Sequence, residues 1–181
     1  MVQGTERLMG LLERRGPLFG DIGGLLLFAF WMTQARQSGL PAIVAAALHL
    51  ATMATVMMAV LGYQFAQGSA PSAWLGWAGA ATIGLGFGGA LSMVAAGLVL
   101  FGISIVRCGV HPKLPGWLLA AAGVVLLWSL ALAPGFGRAW GNLSAGWSLL
   151  MAAPLVVVAA ALADLDVIER AREHRESRVT A

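Results

Sequence analysis

Between Arg36 and Arg107 the chain runs for 70 residues without one charged side chain. Two more charge-free stretches follow, 24 residues between Lys113 and Arg138 and 25 between Arg138 and Asp164. Water is not the main solvent of such a chain. Soluble domains carry about 25% charged residues, whereas here 10% of 181 residues are charged, 59% are hydrophobic, and the mean hydropathy is +0.83. A helix needs roughly 20 apolar residues to cross a ~30 Å hydrocarbon core, so each shorter stretch supplies one span and the longest supplies two or three. The runs do not alternate as membrane barrel strands would. The sequence therefore predicts an all-α polytopic integral membrane protein, a four-helix transmembrane bundle with an amino-terminal membrane segment that is a fifth span if it crosses.

Residues 1–16 read as a cytoplasmic or interfacial segment, 17–165 as the transmembrane domain and 166–181 as a charged cytoplasmic tail. Within the domain the expected segments are about 18–35, 41–63, 83–106, 115–133 and 144–164. The first has only 14 uncharged residues, Ile22 to Ala35, short for a span. After Tyr63, the residues Gln64, Gln67, Gly68, Ser69, Pro71 and Ser72 read as a loop. The stretch from Ala73 to Val106 is too long for one upright helix and too short for two, so an interfacial piece through about Thr82 followed by a span is expected. Pro115 suits a first helical turn, Asn142 or Ser144 an N-cap, and Pro154 a kink. In the tail, Asp166 with Arg170 and Arg172 with Glu176 fall at helical ion-pair spacing.

Basic residues near helix ends mark the cytoplasmic side. With four spans and the first segment not crossing, ten of the eleven, all but Arg138, fall inside, and the carboxyl terminus is cytoplasmic. A crossing first segment gives seven against four. A cleaved signal peptide would put Arg36 and the tail arginines outside and is rejected. In the first arrangement Trp74, Trp77, Trp140 and Trp147 flank the two outer loops and rim a site for a lipid or quinone-like molecule.

Inside the apolar runs, Ala80, Gly84, Gly88, Ser92 and Ala96 recur at i+4, the spacing of a helix-packing seam for another helix of the chain or for a partner. Gly84, Gly86 and Gly89 form a GxGxxG pattern, but the dinucleotide fingerprint requires a strand before it, so packing is its reading. His49 is followed by Met53 and Met57 on one helical face, soft ligands that suit copper or a haem axial position; a histidine packed and hydrogen-bonded to a backbone carbonyl is the plainer reading. Asp21 is an acid within a membrane segment and therefore a functional candidate, although it should sit roughly 9 Å from the height of His49. Near a helix start it is also an ordinary interfacial carboxylate. The loop from Arg107 to Lys113 suits anionic lipid headgroups. Cys108, the single cysteine, forms no internal disulfide. Asn142, Leu143 and Ser144 match a glycosylation sequon that a helix cap also explains.

No hydrolase, transferase or phosphate-binding pattern appears, and the basic residues share their side with seven acids, which argues against nucleic acid. The sequence thus predicts a non-enzymatic protein of a prokaryotic plasma membrane. It binds an apolar ligand or serves as accessory subunit of a membrane assembly, as partner or homo-oligomer, with no cofactor identified. Two other readings stand beside it: a small-solute or proton-coupled transporter using Asp21 and His49, and a haem or copper redox subunit centred on His49 and Met53.

Overall fold

The structure, a computed structural model, describes residues 15–16, 18–30, 41–68, 70–88, 91–132, 152 and 154–162. Among these it holds six helices and no strand. They are α1, Leu18–Phe30, α2, Ala42–Gln67, α3, Ala73–Gly86, α4, Leu91–Cys108, α5, Lys113–Leu132, and α6, residues 154–162. α2, α4 and α5 are each long and apolar enough to cross a membrane. The expected tail and the segment from Pro134 to Leu150 lie outside the described residues.

α2 starts after Pro41, whose carbonyl accepts from the amides of Val44 and Ala45 at 2.9 and 3.1 Å. It then runs through the residues expected to form a loop. Its 26 residues span roughly 39 Å at 1.5 Å each, and it stops only at Gly68, where φ is 57° and the side-chain-free backbone turns left-handed. Hydroxyl groups in the helices satisfy themselves locally, as an apolar surrounding demands. Thr52, Thr82 and Ser129 each donate to the carbonyl four residues earlier, at 2.7 Å.

The stretch expected to hold one interfacial piece and one span is instead a helical hairpin. α3 has 14 residues and α4 has 18, joined through Phe87 and Gly88, so the length that seemed too short for two helices suffices because α3 is short. The five-residue seam is therefore divided. Ala80 and Gly84 lie on α3, Gly88 lies in the turn, and Ser92 and Ala96 lie on α4 with Ser92 exposed. What packs the hairpin is another set of glycines. A β-carbon at Gly79 would stand 2.7 Å from the Phe101 amide nitrogen, and one at Gly97 would stand 2.6 Å from Ile83 Cγ1 and 2.8 Å from the Gly79 carbonyl. Gly86, part of the GxGxxG pattern, lets the chain fold back: a β-carbon there would meet the Val94 nitrogen at 2.5 Å. On its other side α4 meets α5 in the same way, since a β-carbon at Gly116 would lie 2.7 Å from the Gly102 carbonyl and one at Gly123 2.5 Å from the Ala95 carbonyl. Small residues at such crossings allow the backbone approach that replaces a hydrophobic driving force in lipid.

The hairpin changes how the loops are distributed. Gln67 at the end of α2, Ser72 before α3, and Ser104 and Cys108 at the end of α4 form one polar cluster. Ser104 Oγ donates to Gln67 Oε1 at 2.8 Å, Cys108 Sγ donates to the same oxygen at 3.2 Å, and the Ser72 hydroxyl lies 3.2 Å from Cys108 Sγ. Gln64 Nε2 donates to the Ala73 carbonyl at 2.8 Å. The 68–72 and 109–112 turns therefore share one end of the bundle, where the sequence reading had set them on opposite sides. The parity changed because one expected crossing became two passes.

α1 runs antiparallel to α2: a β-carbon at Gly16 would touch Gly62 Cα at 3.3 Å, one at Gly23 the Val56 nitrogen at 3.1 Å, and Phe30 stacks near His49 with ring centroids 5.0 Å apart. α6 runs antiparallel to α1, with Val157 beside Gly24 and Ala160 beside Gly20. Hence Arg15, Arg107 and Lys113 all mark one end, the basic end, and Phe30, Pro41, Leu91 and Leu132 mark the far end.

Two outcomes follow from these contacts. Gly79→Ala is expected to lower stability by about 1–3 kcal/mol through overpacking against backbone. Gly84→Ala should be neutral or slightly stabilising, because its β-carbon would meet only the flexible Met57 side chain at 3.4 Å; thermal unfolding in detergent compares them. Ser72→Cys should form a disulfide with Cys108 under mild oxidation, read by peptide mass, whereas Thr82→Cys should not. A free thiol at both positions in the first variant would separate the two turns.

Candidate functional site

Where α1 and α6 face the rest of the bundle their residues are small, and a cavity of about 70 Å³ remains. Gly20 and Gly24 of α1 and Ala159 and Ala160 of α6 form one wall. Leu98 and Phe101 of α4, Leu119 of α5 and Val60 of α2 form the other. The missing side chains on α1 create the space: even a β-carbon at Gly20 would reach Ala160 Cβ at 3.5 Å. Every one of these residues is apolar.

The exceptions are at the basic end, where Tyr63 of α2 and His111 of the α4–α5 turn line the cavity. Their rings meet edge to face, with centroids 5.1 Å apart and an interplanar angle of 78°. Two physical causes put His111 there. Gly109, with φ of 65°, turns the chain at the end of α4, and Pro115, itself a lining residue, suits the first turn of α5, which starts at Lys113.

Among the described residues the charged side chains are Arg15, Asp21, Arg107 and Lys113, and none belongs to the far end. The three cations are exposed, while Asp21 is half-buried on α1.

The other residues singled out in the sequence are not brought together. His49 Nε2–H donates to the Phe87 carbonyl at 3.0 Å, a group left over at the end of α3. This bond puts the proton on Nε2 and leaves Nδ1 buried with no hydrogen-bond partner among the described residues. The ring lies between Phe30 and Phe87, and Met53 and Met57 pack against the core. Asp21 is nine residues from Phe30 along α1, so it and His49 differ in height by roughly 13 Å. Trp74 and Trp77 are exposed near the start of α3, at the basic end, with Trp77 edge-on to Phe65 at 5.6 Å. Trp140 and Trp147 lie outside the described residues, in the segment joining the far ends of α5 and α6.

Sequence reasoning missed Tyr63, His111, Gln64 and Gln67. Tyr63 is the single tyrosine of the chain, and an amphipathic ring closing an apolar run was a usable signal. His111 was read only as part of a surface turn. Gln64 and Gln67, 1% and 3% exposed, were read as solvent-facing although their i, i+3 spacing continues the helix. Comparison of the chain with protein families, with characterised proteins and with solved structures finds no match.

Proposed function

We propose that this is a non-enzymatic integral protein of a prokaryotic plasma membrane that holds the hydrocarbon chain of an amphipathic ligand inside its bundle. The observation that carries the reading is the cavity, walled by α1, α2, α4, α5 and α6 and lined almost wholly by apolar surface, with the rings of Tyr63 and His111 at one end. Its size supports a slender occupant. A cavity of about 150 Å³ accepts benzene, and roughly half that volume has room for a short linear alkyl segment and none for a quinone ring.

The helix directions support an orientation with the basic end in the cytoplasm. The segments leading into α1 and out of α6 attach there, so Arg7, Arg14, Arg15, Arg107, Lys113, Arg170, Arg172, Arg175 and Arg178 belong to it, nine of eleven basic residues. Arg36 and Arg138 belong to segments attached at the far end. This distribution obeys the positive-inside tendency with α1, α2, α5 and α6 crossing and the α3–α4 hairpin entering from the cytoplasmic side. Both chain ends then lie in the cytoplasm.

Leu98 and Ala159 are 5% and 1% exposed and line the cavity. Leu98→Trp and Ala159→Phe should each fill it and reduce retained lipid about tenfold, a change of ~1.4 kcal/mol. Native mass spectrometry of protein extracted in a steroid-based detergent, which has no alkyl chain to compete, reads the adducts. Unchanged adducts in variants that still unfold cooperatively would remove the cavity from the function.

A further inference from the structure

We infer that Cys108 is a modification site: its thiol is oxidised by a hydroperoxide, and the carboxamide of Gln67 holds the sulfenic acid that forms. The inference does not rest on the cavity. It starts from an imbalance in the polar cluster where α2 and α4 end. Gln67 Oε1 accepts twice, from Ser104 Oγ at 2.8 Å and from Cys108 Sγ at 3.2 Å, which occupies both of its lone pairs. The nitrogen of the same carboxamide has two N–H groups to give, yet it is buried with no hydrogen-bond partner among the described residues, in a side chain 3% exposed. Leaving such donors unmet in an apolar surrounding is costly. With the thiol proton committed to Gln67, the Ser72 hydroxyl, 3.2 Å from the sulfur, is left as the donor to it.

Oxidation supplies the missing acceptor. Cys108 S–H and a hydroperoxide R–O–O–H give S–O–H and R–O–H. The sulfur loses two electrons, the O–O bond breaks as the S–O bond forms, and the thiol proton leaves on the departing oxygen as an alcohol or water. The new oxygen is one bond from a sulfur already in contact with the Gln67 carboxamide, so it can accept from Nε2–H. The same N–H meets that oxygen while it is being transferred. Access is open, because Cys108 is half-buried at the last position of α4, between exposed Arg107 and exposed Gly109. Partly exposed thiols in polar surroundings are the ones that oxidise selectively. Cys108 is also the single cysteine of the chain, so its sulfenic acid has no internal thiol with which to condense.

The test treats the full-length protein in detergent with hydrogen peroxide or with cumene hydroperoxide, traps sulfenic acid with dimedone, and reads the adduct by peptide mass. The reference is Val110→Cys in a Cys108→Ser background, which puts a half-buried position of the same turn to use without the carboxamide. Cys108 is expected to be labelled about tenfold faster than the reference, the effect of one further hydrogen bond. Gln67→Met should remove that advantage. The oxidised wild type should unfold at no lower temperature than the reduced protein. Faster reaction with hydrogen peroxide supports a water-borne oxidant, and faster reaction with cumene hydroperoxide a lipid-borne one. Labelling no faster than the reference overturns the inference, whether or not Gln67→Met folds. So does undiminished labelling in a folded Gln67→Met protein, or a fall of several degrees on oxidation of the wild type.

Discussion

With no β-carbon at Gly97 and Gly102, α4 lies in backbone contact with α3 on one side and α5 on the other. Lipid supplies no hydrophobic force between helices, so contact of this kind must come from shape, and here shape comes from glycine. The same approach brings Ser104 and Cys108 of α4 within reach of Gln67 and Ser72. It also forces the α4–α5 turn back over the bundle, so that His111 meets Tyr63. The polar cluster and the closed end of the cavity are thus consequences of one packing arrangement. A larger residue at either glycine would move both.

The polar cluster shows how cost and specificity combine. Gln64 and Gln67 are almost fully buried, and placing two amides among apolar helices is costly; Gln64 Nε2 and Gln67 Oε1 are paired, while Gln64 Oε1 and Gln67 Nε2 are buried with no hydrogen-bond partner among the described residues. Three of the pairings reach across elements, from α2 to the start of α3 or the end of α4. A helix register shifted by one residue would break them all. Gly76 is small for the same reason, since the Gln64 amide occupies the space a β-carbon there would need. The cluster therefore selects one alignment of α2, α3 and α4 out of the several that smooth apolar surfaces would permit.

How much of this was legible follows from what periodicity and length encode. The charge-free runs gave helices and the all-α class, and Pro41 and Pro115 marked starts close to those observed, whereas the end of α2 was expected at Tyr63 and falls at Gln67. Direction was not legible. A glycine-rich stretch such as Gly84 to Gly89 serves equally as a seam within one helix or as the turn of a hairpin, because both uses depend on the missing side chain. Taking it as a seam set the 68–72 and 109–112 turns on opposite sides. The cavity was less legible still, because it arises from Gly20, Gly24, Ala159 and Ala160, small residues far apart in the chain that only become neighbours through the helix order. The expected rim of four tryptophans drew instead on residues whose loops the hairpin separates.

The arrangement also ranks the alternative chemistries. A proton-coupled path through Asp21 and His49 must bridge roughly 13 Å along the bundle axis, and between their heights α2 carries Met53, Val56 and Met57, with the hydroxyls of Thr52 and Thr55 donating to carbonyls of their own helix. A redox centre at His49 must take Nδ1 as its ligand, because Nε2–H is committed to the Phe87 carbonyl, and that nitrogen sits between two phenylalanine rings with Met53 one turn away. Binding of a short apolar chain needs only the space already between α1, α4 and α6.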